Sequence, residues 1–325
     1  MTLPARPSRW SQAILALSLC LAPVPAAAAA NKPTPKEAKV GVYIAMINAE
    51  SNHVFSNYAK YTKQVADLKK GPTCNESGVQ HFVSGMGPSA PERYAGYKKA
   101  LAKAPKLEVD PAAQEMLAAI EQLYKPENEA SEYYFKRKFK DDACKRGGEL
   151  HRELMTGWTK YMKAEEAVRA FLDKYTDERD QTELGKTEKQ YGKNLRYHHS
   201  KLMIDAKALV RLTDQSELDV ATLRTRLADF DATLTSARTV VEKEKQAKKN
   251  ADALYQGGYE QFVSRANQFK DSVKELLRVL DEEAKDPKAS TTMAQRRPNS
   301  VKALINGYNS LVEQSNKVLY SKTMK

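Results

Sequence analysis

The chain has 325 residues, a formal net charge of +12, 41% hydrophobic residues and only 14 glycines. That length permits one or two domains with a substantial core, and its long stretches without Gly or Pro favour long helices. No segment after residue 30 reaches the roughly 20 apolar residues that cross a bilayer, so a transmembrane helix is excluded from the exported chain.

Residues 1–30 contain no Asp or Glu. Arg6 and Arg9 precede an apolar run from Ala13 to Ala22, broken by Ser18, and Pro23-Val24-Pro25 leads into Ala26 to Ala30. A positive start, a short apolar run and a small-residue exit make a secretory signal, with cleavage after Ala28, Ala29 or Ala30. The product is then periplasmic or secreted, and loss of the two arginines takes its charge to +10. Cys20 follows Leu17-Ser18-Leu19, where a lipoprotein needs Gly, Ala or Ser in place of Leu19. The cysteine reads as discarded with the signal; a lipid anchor at Cys20 is the alternative.

Residues 31–38 read as a flexible leader, and residues 39–325 as a single helical domain. Val40, Ile44, Ile47, Ser51, Val54, Tyr58, Tyr61, Val65 and Leu68 alternate in steps of four and three, one stripe of a helix that Gly71-Pro72 ends. An irregular connection over 71–91 follows. Pro91 opens a helix over 91–103, and Asp110-Pro111 opens another to Tyr124. Pro126 interrupts, a further helix runs to Lys138, and Gly147-Gly148 marks a break or soft point. Longer stripes run from His151 to Tyr175, Tyr191 to Leu212, Leu223 to Val241, Phe262 to Leu280 and Val301 to Leu319. Residues 285–300 read as a second polar connection. Each stripe must be buried against another, and antiparallel helices do this most economically. The expected fold is all-α, an elongated antiparallel helical bundle with one disulfide.

That disulfide joins Cys74 and Cys144, the pair left after signal removal. In an oxidising compartment an isolated pair is most simply a bridge. Closing the loop stabilises by about 4 kcal/mol in the chain-entropy picture. A redox role lacks a C-x-x-C pair, and a metal role lacks clustered partners.

Catalytic signatures are sparse. G-x-S-x-G, P-loop and dinucleotide fingerprints are missing from the sequence. His53 has Glu50 three positions before it, the one helical His–carboxylate spacing that suits a metal, while His151 and His198 fall on apolar stripes as core residues. Glu165 interrupts an apolar stripe and is expected to be solvated at a bundle end. Asp141-Asp142 reads as a helix-start cluster. Neither a cofactor nor a metal is expected, and no catalytic residue is assigned.

The basic excess points to partners. Lys243, Lys245, Lys248 and Lys249 cluster, but Glu242 and Glu244 interleave and the run reads as a solvated face. Arg296-Arg297 and Lys136 to Lys140 are further runs. Arg93, Tyr94, Tyr97, Lys98 and Lys99 form a candidate partner-binding patch. An exported protein meets anionic lipids and cell-wall polymers before nucleic acid, so an envelope polyanion or envelope protein is the expected partner and nucleic acid is not.

Several segments carry a likeness. They are Val42-Tyr43-Ile44-Ala45-Met46-Ile47-Asn48, Glu132-Tyr133-Tyr134, Phe139-Lys140-Asp141-Asp142-Ala143-Cys144-Lys145-Arg146-Gly147, Glu149-Leu150-His151, and Tyr308-Asn309-Ser310-Leu311-Val312 with Ser315-Asn316. Together these resemble the YiiG-type family, helical bacterial envelope proteins, often lipoproteins, whose domain is of unknown function. The likeness is scattered over most of residues 40–320. It implies a helical fold and an envelope location, and it brings no catalytic residues. The function expected is therefore that of a non-enzymatic secreted or periplasmic protein binding an envelope partner. The alternative is a bundle with a small-molecule or metal pocket, enzymatic in its strongest form, around His53 or the tyrosine-rich core.

Overall fold

The computed structural model describes residues 33–213, 218–247, 258–285 and 291–318. Residues 1–32, with Cys20, and also Lys248, Lys249 and Leu319, lie outside the described residues. Among the described residues there are eight α-helices and no strand, and no helix is long and apolar enough to cross a membrane. The helices are α1 (Pro35–Gln64), α2 (Ala90–Leu101), α3 (Asp110–Phe135), α4 (Lys145–Tyr191), α5 (Leu195–Leu212), α6 (Val220–Gln246), α7 (Tyr259–Lys285) and α8 (Thr291–Ser315). They fall into two compact units, an N-terminal one up to Tyr175 and a C-terminal one from Thr176 onward, with α4 giving residues to each.

Helix α1 starts inside the expected leader, and its sequence explains why. Thr34 accepts from the Glu37 amide at 3.2 Å, and Glu37 accepts from the Thr34 amide at 2.7 Å. This reciprocal capping box satisfies two amides left over at a helix start, with Pro35 in the first turn where it loses nothing. The helix stops at Gln64, short of the expected Gly71, and Val65 caps it in an extended conformation.

Helix α3 runs through Pro126 without ending. The Gln122 carbonyl has no amide to accept from at this point. Burial of Leu123 and Ala130 on either side, with the contacts of Glu127 to Trp158 and His53, offsets that loss. Gly147 and Gly148 lie in the first turn of α4, so the expected soft point is helix. A Cβ on Gly147 would sit 2.7 Å from the Cys144 sulfur and 3.2 Å from that of Cys74. The glycine therefore makes room for the Cys74–Cys144 disulfide, which is present.

Cross-helix contacts fix directions within the N-terminal unit. Lys39 and Glu50 of α1 meet Leu101 and Arg93 of α2, and Ser51 and Tyr61 meet Tyr161 and His151 of α4. Both pairings are antiparallel. Lys39 and His53 meet Asp110 and Glu127 of α3, so α1 and α3 run parallel, α2 having carried the chain back to its starting end.

The C-terminal unit is simpler. Helices α5 to α8 pack in sequence, and α5 also packs on α8. Asp205–Thr233, Lys270–Asp231 and Glu282–Arg296 contacts make each consecutive pair antiparallel. Leu202, Leu209, Phe230, Phe262, Phe269, Leu276, Leu304 and Leu311 form one continuous apolar core. Residues 291–300 belong to α8 and are not a polar connection. Arg296 and Arg297 pair across to Glu282 and Glu283 of α7, which no local pattern announces.

Candidate functional site

The most concentrated chemistry lies between α1, α3 and α4 of the N-terminal unit. Glu127 is completely buried. One of its carboxylate oxygens accepts from the Trp158 indole at 2.6 Å; the other meets His53 Nε2 at 2.6 Å and the Asn57 amide at 3.2 Å. Asn57 also donates to the Ser84 carbonyl at 2.8 Å and accepts from the Ser84 amide at 3.0 Å, pinning the connection after α1. A buried carboxylate on one ring nitrogen fixes the tautomer and orientation of an imidazole. The His53 side chain keeps 26% of its surface exposed, so this oriented ring reaches solvent.

Glu50 has no part in that group, although sequence spacing paired it with His53. It turns to α2 and binds Arg93 Nε at 2.6 Å and the Tyr94 hydroxyl at 3.3 Å. Among the described residues no three His, Cys, Asp or Glu side chains converge as a metal would require.

Three further polar contacts are sealed in the same unit. Lys39 donates to Asp110 at 2.8 Å and to the carbonyls of Leu101 and Lys103, capping the end of α2. Burial opposes ionisation of Asp110, but Lys39, Tyr43 and the Leu107 amide outweigh it and hold the carboxyl below its usual range. Glu165 is buried, against the expected solvated end, because Arg169 one turn on and Ser51 of α1 bind it. His151 meets the Tyr61 hydroxyl at 2.9 Å and the Leu68 carbonyl at 3.0 Å. Burial lowers its pKa, the Leu68 bond opposing in part, so it is a neutral core imidazole donating to Leu68 and accepting from Tyr61.

In the C-terminal unit His199 bonds Ser315 at 2.7 Å, and burial pushes it down to about 4. Its ring packs on Phe262, with centroids 4.4 Å apart. The Asp141-Asp142 pair has a structural use: Asp142 accepts from the Tyr133 hydroxyl at 2.7 Å and from the Arg146 amide at 3.0 Å at the start of α4.

The candidate patch on α2 is divided. Tyr94 is buried, Arg93 is committed to Glu50, and Tyr97 is half-buried with its hydroxyl on the Ala45 carbonyl at 3.4 Å. Lys98 and Lys99 are exposed, as are Lys103 and Lys106 beyond the helix. Residues 93–107 hold five cations and no acid, a signal readable in the sequence but longer than the patch drawn from it. By contrast, nothing local marks Glu127 or Trp158 as partners.

The family described as "Protein of unknown function (DUF3829)" matches residues 34–317. The uncharacterized protein YiiG of Escherichia coli (strain K12) is 25% identical over 323 residues, covering 95% of this chain and 88% of the relative. No solved structure matches.

Proposed function

The chain belongs to the DUF3829 family, and from that premise we propose that it is a non-enzymatic protein of the bacterial envelope that binds an anionic envelope polymer. One observation carries this reading. Lys98, Lys99, Lys103 and Lys106 stand exposed along a 93–107 stretch without a single acid. Among the described residues of the C-terminal unit, by comparison, surface cations commonly sit against carboxylates, as Lys270 does on Asp231, Arg278 on Glu275 and Lys317 on Glu313. A surplus of unmatched positive charge attracts a polyanion and releases its counterions. The signal-like residues 1–30 support the envelope as the place of contact.

Binding to isolated envelope material should fade as salt rises, because exposed charges are screened within about 10 Å at 0.1 M. Lys98→Glu with Lys99→Glu should weaken it by about thirtyfold per residue, since each reversal changes the charge by two at roughly 1 kcal/mol per surface charge. Retention that ignores salt, or survives the double reversal, removes the proposal.

A second reading, a metal or small-molecule pocket, rests on the His53–Glu127 contact, which orients a partly exposed imidazole. Metal analysis decides it. Bound metal in the purified protein that disappears on His53→Ala would put this reading first.

A further inference from the structure

Phe135 is 67% exposed, the large hydrophobic side chain left uncovered among the described residues. It ends α3 and is followed by Lys136, Arg137, Lys138, Phe139 and Lys140, whose four cations are all exposed. We propose that this turn is a docking point for an anionic phospholipid bilayer, with Phe135 entering the headgroup layer and the flanking cations meeting lipid phosphates.

The turn is built to hold its shape. Arg137 takes a left-handed conformation with φ 57°, ending the helix, and its guanidinium donates to the Gln80 side-chain carbonyl at 2.7 Å. A short 3-10 turn spans Lys138–Lys140. Phe139 packs edge-on to Tyr133, with centroids 6.4 Å apart, and the Tyr133 hydroxyl ties back to Asp142. The Cys74–Cys144 disulfide closes the far side. A surface ordered in advance loses little entropy on binding.

Nearby acids reduce the positive charge without cancelling it. Glu132 binds Lys136 and Lys138, each at 2.9 Å, and Asp142 is engaged by Tyr133 and Arg146. Asp141 is exposed beside Lys140, and Lys145 adds a cation on the next helix.

The phenyl ring selects the partner. A stable protein interface needs a packed apolar centre within roughly 1,000 Å² or more, and one ring among cations is not that. A hydrated sugar or phosphate chain gives the ring nothing to enter. An anionic bilayer rewards both features, and weak reversible binding by one apolar group with a basic patch is the expected regime. The turn is also separate from the lysines after α2. Lys39 places those beside the start of α3, and the 26 residues of α3 make its two ends about 39 Å apart.

Co-sedimentation with phosphatidylglycerol vesicles and with phosphatidylcholine vesicles tests the proposal. The protein should bind the first and not the second. Phe135→Ala should lower that affinity about tenfold, the loss expected for part of a phenyl side chain returned to water. It should leave retention on envelope polymer unchanged. With residues 1–30, and so Trp10, left off both chains, Phe135→Trp should still bind and its emission should move to shorter wavelength with vesicles, whereas emission of the parent, from buried Trp158, should not. Vesicle binding by Phe135→Ala equal to wild type, or an unmoved Phe135→Trp emission under binding conditions, overturns the proposal. So does an equal loss of polymer retention by Phe135→Ala. Because Lys98→Glu with Lys99→Glu leaves this turn intact, loss of vesicle binding in that variant alone would assign the lipid contact to α2.

Discussion

In the N-terminal unit Lys39, Glu50, Asp110, Glu127 and Glu165 are all buried, each meeting a partner on another helix or one turn away. In the C-terminal unit Asp205 is the buried carboxylate among the described residues, and charges such as Asp231, Lys270, Asp281 and Arg224 line the rim around a seam of Leu, Val and Phe. Apolar side chains interchange partners at modest cost, whereas a buried charge that loses its partner is left without compensation. The two units therefore reach helical packing by different means. Both bury an extensive apolar core; the N-terminal unit adds buried directional contacts that specify neighbours, and the C-terminal unit has few of them among its described residues.

The largest effects should come from attacking each unit at its own device. Lys39→Met strands Asp110 and should cost about 3–5 kcal/mol. Phe269→Ala, which empties a site between Phe230 and Tyr308, should cost a similar amount, about 3–5 kcal/mol. Adding Asp110→Leu to Lys39→Met should recover part of the first loss, since the stranded charge is gone. Denaturant midpoints read all three. A Lys39→Met cost near zero would mean that the buried pair specifies nothing.

Removing the disulfide should come next, at about 2–4 kcal/mol. Hydrogen exchange sharpens the comparison: in Cys74→Ala with Cys144→Ala, amides of α1 and α3 should exchange faster and those of α6 and α7 should not. Equal acceleration in all four would show that the units unfold together.

Acidification by about one unit below pH 6.5 should have the smallest effect. His199 has a folded pKa of about 4 against an ordinary 6.5, so the unfolded chain takes up the proton first. The resulting stability is complete above pH 6.5 and drains away as pH falls towards 4. His151 is also lowered and contributes in the same direction from the N-terminal unit. Replacing His199 with Gln should flatten the pH dependence of the unfolding midpoint in part, leaving the His151 share. An unchanged slope would mean that burial does not hold His199 neutral.

Much of the fold was legible because helices write their buried face at a fixed period. The stripes through Val40 and Tyr61, Trp158 and Leu172, Phe230 and Phe269 all lie in the core. Legibility failed where distant partners overrule local rules. Pro126 should have ended α3, but burial of its neighbours carries the helix on. Residues 291–300 look like a polar loop until Glu282 and Glu283 meet the two arginines. Glu165 looks solvated until Ser51 arrives from α1, 114 residues earlier. For the candidate site, residue type points to His53, but helical spacing pairs it with Glu50, whereas Glu127 is the carboxylate that meets it. Helical spacing can nominate Glu50; only the fold can bring Glu127, 74 residues away.

The bridge between Cys74 and Cys144 turns a stretch of backbone into a ring that carries α2 and α3 whole. Lys98, Lys99 and Phe135 all ride on it. A protease that cuts at exposed Lys103 would open the ring without dividing the molecule, since each new end remains joined through sulfur. Both surfaces would then survive a nick that sheds a linear segment, for as long as the surroundings stay oxidising.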